Sequence, residues 1–298
     1  MPGTPQMTDI SIVYALCSLL IYGATQVIAK GTVRSLDANT MVAMNFLISI
    51  PIYVFFLFSA LVLWNDYISH PEYVLYGLIG ASTARGGYYI YLEALEKGAV
   101  TMVGSITAAF PAITALLAVT VLHEEISWVN GLGIAIIIGS MVGLSFTHGR
   151  SAGHTVFSRT ALVLSIAVLL IWGFGGIFIK LALDGLPLIA YLGLYPIILP
   201  PIAFAYLKHK KATKKVFLPK WSVPVIGALV VAELWQLGYF AETSAISTGS
   251  AAIVFPLISA YPIVTIIGAR LFLREQLART EWLLLAAVVV GILLTSVV

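Results

Sequence analysis

Charge is what this sequence has least of. Of its 298 residues only 10 % are Asp, Glu, Lys or Arg, against roughly 25 % in ordinary soluble chains. Hydrophobic residues make up 60 %, and a water-soluble globule of this size needs more polar surface than that leaves. The chain reads as an integral membrane protein. A single cysteine, Cys17, excludes an internal disulfide and any multi-cysteine metal site. There is no G-x-x-x-x-G-K-[ST] loop to cradle a nucleotide phosphate. The five histidines, His70, His123, His148, His154 and His209, form no H-E-x-x-H pair, so a zinc hydrolase has nothing to build on. No cofactor and no nucleic-acid partner is expected; the net charge is only +3. The opening MPGTPQMTDI carries no Lys or Arg and no A-x-A-like site follows, so residues 10–30 read as a retained helix, not a signal peptide.

What is present is a succession of apolar runs. A bilayer core needs about 20 such residues per helix, and ten runs qualify: 10–30, 38–63, 71–95, 99–122, 128–147, 160–183, 187–207, 222–245, 250–273 and 281–298. Helices are required because lipid offers no partner to an unpaired backbone amide. Lys and Arg concentrate in alternate connections: Lys30 and Arg34, then Lys97, then Arg150 and Arg159, then six lysines from Lys208 to Lys220, then Arg270, Arg274 and Arg279. The positive-inside rule then places both termini outside a cell (inner) membrane. KHKKATKK at 208–215 reads as part of that orientation signal or as a contact for anionic lipid.

The chain also repeats itself. IYGATQVIAK (21–30) returns as IWGFGGIFIK (171–180), with Ile21, Gly23 and Lys30 matching Ile171, Gly173 and Lys180, and Tyr22 matching Trp172. Further on, Ala94, Gly98, Val103, Ala109, Pro111, Thr114, Leu122 and Glu124 recur 151 residues later as Ala245, Gly249, Val254, Ala260, Pro262, Thr265, Leu273 and Glu275. Residues 1–147 and 160–298 therefore read as two five-helix copies joined by 148–159. Five is odd, so the second copy crosses the membrane in the opposite sense, an inverted repeat of the kind many secondary transporters use.

With its aromatic-Gly…Lys pattern at 22–30 and 172–180, its F-P and Y-P pairs at 110–111 and 261–262, and the acids of LHEEIS and LREQLA, the sequence resembles the ten-span EamA-type branch of the drug/metabolite transporter superfamily. The likeness covers nearly the whole chain. It implies an all-α membrane protein, ten transmembrane helices in two inverted five-helix repeats around a central cavity. That cavity would be lined by the first, third and fourth helices of each repeat, and the cargo would be small metabolites such as amino acids, exported or exchanged. Glu233 and Arg85, both inside spans, depart from the general pattern.

Arg85 is the most informative residue. A cation at a helix centre costs roughly 2.5–3.5 kcal/mol on insertion scales, which a carboxylate, a wet cavity or an anionic ligand must offset. On a helix of 3.6 residues per turn Arg85, Tyr88 and Tyr89 share a face, and Glu233, Gln236 and Tyr239 share another. The expectation is that Arg85 receives a substrate carboxylate through its planar fork while Tyr88, Tyr239 and Trp235 hold an apolar part. Three readings of Glu233 are open: it pairs with Arg85 as a structural ion pair, binds an amine, or carries a coupling proton. Gln26, Asn45 and Trp172 join the candidate lining. Lys30 and Lys180 are helix-end snorkels or gate residues. Pro111 and Pro262 break the backbone ladder as kinks or hinges; the glycine pairs 86–87 and 175–176 suit close packing. The partners implied are a small-molecule substrate and the lipid bilayer, with proton coupling undetermined and a functional monomer sufficient. A channel or an intramembrane enzyme is the alternative; it calls for a continuous polar stripe or a catalytic cluster facing one leaflet, and neither is visible.

Overall fold

The computed structural model describes residues 9–32, 36–64, 66–67, 69, 71–97, 100–151, 159–210, 222–273 and 278–295. Every regular element among them is a helix. In chain order these are α1 (Asp9–Thr32), α2 (Ala38–Leu63), α3 (Pro71–Lys97), α4 (Val100–Thr107), α5 (Phe110–Thr120), α6 (Trp128–Ser151), α7 (Arg159–Gly185), α8 (Leu188–Leu192), α9 (Tyr195–His209), α10 (Val223–Thr248), α11 (Ala251–Ser259), α12 (Pro262–Leu273) and α13 (Arg279–Thr295).

Among the described residues six stretches are long and apolar enough to cross a membrane: Asp9–Ala29, Ala38–Leu63, Arg159–Gly185, Leu188–His209, Val223–Thr248 and Ala251–Gly268. Phe110–Thr120 and Trp128–Ser140 are shorter apolar helices. The outer faces are apolar as lipid requires: Phe55, Phe58, Val62 and Leu283 all point outward, each more than 60 % exposed.

Helix ends are set locally. Asp37 accepts from the amide of Thr40 at 2.7 Å to start α2, Ser127 accepts from the amide of Asn130 at 3.1 Å to start α6, and Glu281 reaches back to the amide of Ala278 at 2.7 Å ahead of α13. Asp37 and Ser127 each supply an acceptor to a first-turn amide that has no partner in its own helix, and Glu281 makes the reverse contact, from the first turn back to the residue before the helix. Pro111 and Pro262 do interrupt their runs. The breaks fall just before them, at 108–109 and 260–261, so each proline occupies the first turn of the following helix, where its missing N–H costs nothing. The run 187–207, expected to be continuous, is broken in the same way at 193–194, with Pro196 in the first turn of α9.

The packing crosses between the two halves of the chain. α1 lies along α10, α3 along α7, and α6 along α13. The first two contacts are alike in detail. At Gly87 of α3 a Cβ would run into the indole of Trp172 on α7, 2.6 Å from Cδ1; at Gly238 of α10 a Cβ would stand 2.6 Å from Cε1 of Tyr22 on α1. Only glycine leaves room for either ring so close to the neighbouring backbone. Thr114 of α5 donates its hydroxyl to the Gly173 carbonyl at 2.9 Å, and Thr265 of α12 does the same to Gly23 at 3.3 Å.

Candidate functional site

The rings set against those glycines also line a cavity. Its volume is about 70 Å³, room for about five waters at ~10–15 Å³ each. The walls come from α1, α3, α5, α7, α10 and α11, and are mainly aromatic, with Tyr22, Trp172, Trp235, Tyr239, Phe110 and Phe255 among them. The rings buttress one another. Tyr22 lies 4.9 Å from Trp235, and Phe110 5.7 Å from Trp172 and 6.0 Å from Phe255, between ring centroids. The Trp172 indole N–H donates to the Ala84 carbonyl at 3.3 Å, which fixes the plane of that ring.

Among the described residues one lining side chain carries a formal charge, Glu242 of α10. It is buried, and its described partner is the Tyr22 hydroxyl, which donates to Oε2 at 2.6 Å. Gln26 lines the same space and accepts from the Tyr91 hydroxyl at 3.3 Å.

Arg85 sits behind this wall in a network of its own. It is 3 % exposed. Its Nη1 donates to Asn45 Oδ1 at 2.7 Å, and Nη2 to Gln236 Oε1 at 3.2 Å with a longer reach, 3.4 Å, to the Tyr53 hydroxyl. Tyr53 in turn donates to Gln236 Oε1 at 2.7 Å, and Gln236 Nε2 donates to Ser49. The rings of Tyr53, Tyr88 and Tyr195 stand 5.7–6.0 Å from its guanidinium carbon, within cation–π range. Tyr88 separates the two sites: its ring is 4.5 Å from Trp235 and 6.0 Å from the Arg85 guanidinium carbon. Tyr89 lies on the far side, against Tyr206.

The Arg85–Glu233 pair is not formed, and this is a correction. Glu233 is exposed, and no carboxylate bonds Arg85 among the described residues. The reason is helical phase. At 100° per residue Glu233 and Glu242 are half a turn apart, so only one can face inward. Gly238 fixes which, because it must meet Tyr22, and Glu242 lies one turn beyond it on the same side. Sequence reasoning passed over Glu242, because no pattern within the α10 segment singles it out.

Of the remaining candidates, Gln26, Trp172, Trp235 and Tyr239 line the cavity, while Gln236 belongs to the Arg85 network. Lys180 does not snorkel. It is 2 % exposed, bonds the carbonyls of Gly249 at 3.1 Å and Ile246 at 3.4 Å, and pairs with Asp184 at 2.9 Å. Lys30 falls in α1, but its side chain lies outside the described residues, as does most of the lysine run at 208–220. Beside Lys180, Glu124 closes the same end of α10. It accepts from the amides of Ala251 at 3.1 Å and Ala252 at 2.8 Å and from the Ser250 hydroxyl at 2.7 Å, capping the N-terminus of α11 from the opposite half of the chain.

Comparison with known proteins agrees with a doubled transporter fold. The model of the EamA-like transporter family matches twice, at residues 9–146 and 159–297. An uncharacterized protein of Methanocaldococcus jannaschii is 29 % identical over 140 residues, which are 46 % of this chain and 97 % of that one. A crystal structure with 14 % sequence identity superposes with a TM-score of 0.71 over 96 % of each chain, a likeness of fold.

Proposed function

Because the chain belongs to the EamA-like transporter family, we propose that it is a secondary active transporter built from two inverted five-helix repeats. Counting α4–α5, α8–α9 and α11–α12 as one broken span each gives ten spans. The repeats, 1–147 and 160–298, would rock against each other so that the cavity between them opens to one side of the membrane at a time. Amino acids or related zwitterions, exported or exchanged, are the cargo class that fits the resemblance. Both termini would lie outside a cell membrane, and one chain would complete the pathway.

One observation carries this reading, the reciprocal packing around the cavity. The pair Gly87–Trp172 and the pair Gly238–Tyr22 exchange when each residue is moved by the 150–151 positions of the internal repeat. So do Thr114–Gly173 and Thr265–Gly23. Each half lends its first helix to the third and fourth spans of the other, as a twofold axis in the membrane plane would have it. The half-length match to the archaeal relative supports the same duplication.

The substrate would sit among Gln26, Trp172, Trp235 and Tyr239. Arg85 with Gln236 would brace α2, α3 and α10 behind them, and a substrate carboxylate would reach Arg85 only if the Tyr88 ring swings aside. Pro111 and Pro262 would serve as hinges, and Lys180 with Glu124 would hold one mouth of the cavity shut. Counterflow in proteoliposomes tests the reading: unlabelled substrate inside should accelerate uptake of labelled amino acids or amines. Uptake that never responds to trans substrate, or that follows channel-like flux, refutes it.

A further inference from the structure

We infer that, given the transport reading above, the cargo bound in this cavity is an organic monocation, an amine or quaternary ammonium on an apolar or aromatic body, held by Glu242 within the ring cage. The resemblance alone would favour a zwitterion, which needs opposite charges at both ends of the site. The lining supplies one. Glu242 is the formally charged group on the wall among the described residues, and no described lysine or arginine pairs with it. Arg85 spends its donors on Asn45, Gln236 and Tyr53 behind the Tyr88 ring. Lys180 is committed to Asp184 and two carbonyls. A free carboxylate on the ligand would therefore enter a space whose described lining offers no cation and already holds a carboxyl group.

For a cation the same wall is complementary. A carboxylate buried among rings with one hydroxyl donor is poorly solvated, and a ligand cation relieves that cost. Tyr22, Trp172, Trp235 and Tyr239 line the same cavity, and aromatic rings about an ammonium group attract it through the ring quadrupole, more strongly when water is excluded. Phe110 and Phe255 give the apolar body its place. Gln26 adds a neutral amide able to accept from an N–H.

The test uses four probes on one phenyl-ethyl frame: phenethylamine, its N-trimethyl analogue, phenylalanine and 3-phenylpropionate. Each is titrated into the purified full-length protein in detergent, with tryptophan fluorescence as the readout, because Trp172 and Trp235 face the cavity. Both amines should saturate the signal, phenylalanine should bind at least about tenfold more weakly, and phenylpropionate should give no saturable change. Glu242→Gln should weaken the amines by about tenfold or more, the scale of one charge-assisted contact. Tyr22→Phe, which removes the competing donor and keeps the ring, should bind them at least as tightly as the wild type. Phenylalanine binding as well as phenethylamine, unchanged amine affinity in Glu242→Gln, or no saturable amine binding at all overturns the inference. Amine binding without counterflow sinks the transport reading and spares the cation site; counterflow confined to zwitterions or anions does the reverse.

Discussion

Gly87 offers the sharpest perturbation of this fold. Replacing it by alanine adds one methyl group 2.6 Å from Trp172 Cδ1, where ordinary contact begins at 3.4 Å. The indole, whose Nε1 lies nearer still, must retreat by at least about 0.8 Å, and it is hemmed in by Tyr91 and Phe110, whose centroids lie 5.6 and 5.7 Å away. Retreat also breaks its hydrogen bond to Ala84. Overpacking of this kind costs about 1–3 kcal/mol and the lost bond about 1 kcal/mol, so Gly87→Ala should lose about 2–4 kcal/mol. Its neighbour is the control. A Cβ on Gly86 meets nothing within 4 Å, so Gly86→Ala should be neutral or gain up to about 1 kcal/mol from helix propensity. Because Gly238 meets Tyr22 in the same way, Gly238→Ala should match Gly87→Ala within about 1 kcal/mol. Unfolding titrations with sodium dodecyl sulfate in mixed micelles read all three. Equal stability of Gly86→Ala and Gly87→Ala would refute the close-packed interface, and a harmless Gly238→Ala beside a damaging Gly87→Ala would refute its reciprocity.

Arg85→Lys should destabilise the bundle by about 1–3 kcal/mol in the same titration, because a point ammonium cannot hold Asn45 and Gln236 with one planar fork. Glu124→Gln keeps the shape of the α11 cap and loses its charge; a loss of about 1–2 kcal/mol and faster hydrogen exchange at the Ala251 and Ala252 amides are expected. Lys180→Met strands the carbonyls of Ile246 and Gly249 and should cost about 1–3 kcal/mol, together with higher cysteine-labelling rates for probes placed at residues 248–250. Wild-type labelling there would remove Lys180 from any role in closing that end.

Much of this architecture is legible in the sequence, for physical reasons that also mark where legibility stops. Apolar length announces the helices because the bilayer has one thickness, and the duplicated Ile-aromatic-Gly…Lys segment announces that two surfaces will be built alike. Trp172, Trp235 and Tyr239, all candidates from the sequence, line the cavity. Glu233 and Glu242 are different. Both are acids on α10, the local pattern gives neither priority, and only the docking of Tyr22 on Gly238 sets the rotation of the helix. The break at 193–194 escaped because its Y-P pair, Tyr195–Pro196, has no partner in the other copy, where Asn45 and Phe46 correspond at an offset of 150. The network around Arg85 depends on Asn45, Tyr53 and Gln236 from helices far apart in the chain, a meeting that no single-segment pattern encodes.

The interlocked helices also set a timetable for biogenesis. α1 leaves the ribosome well before α10, yet the groove that receives it is completed by α10, which starts only at Val223. Until then Tyr22 has no glycine to rest on and Glu242 does not yet exist, so the early helices must wait in the lipid, inserted but undocked, while nearly 200 residues are translated. An arrest before α10 would strand a membrane-embedded intermediate with Tyr22 undocked and the aromatic wall incomplete, a state open to quality-control proteases.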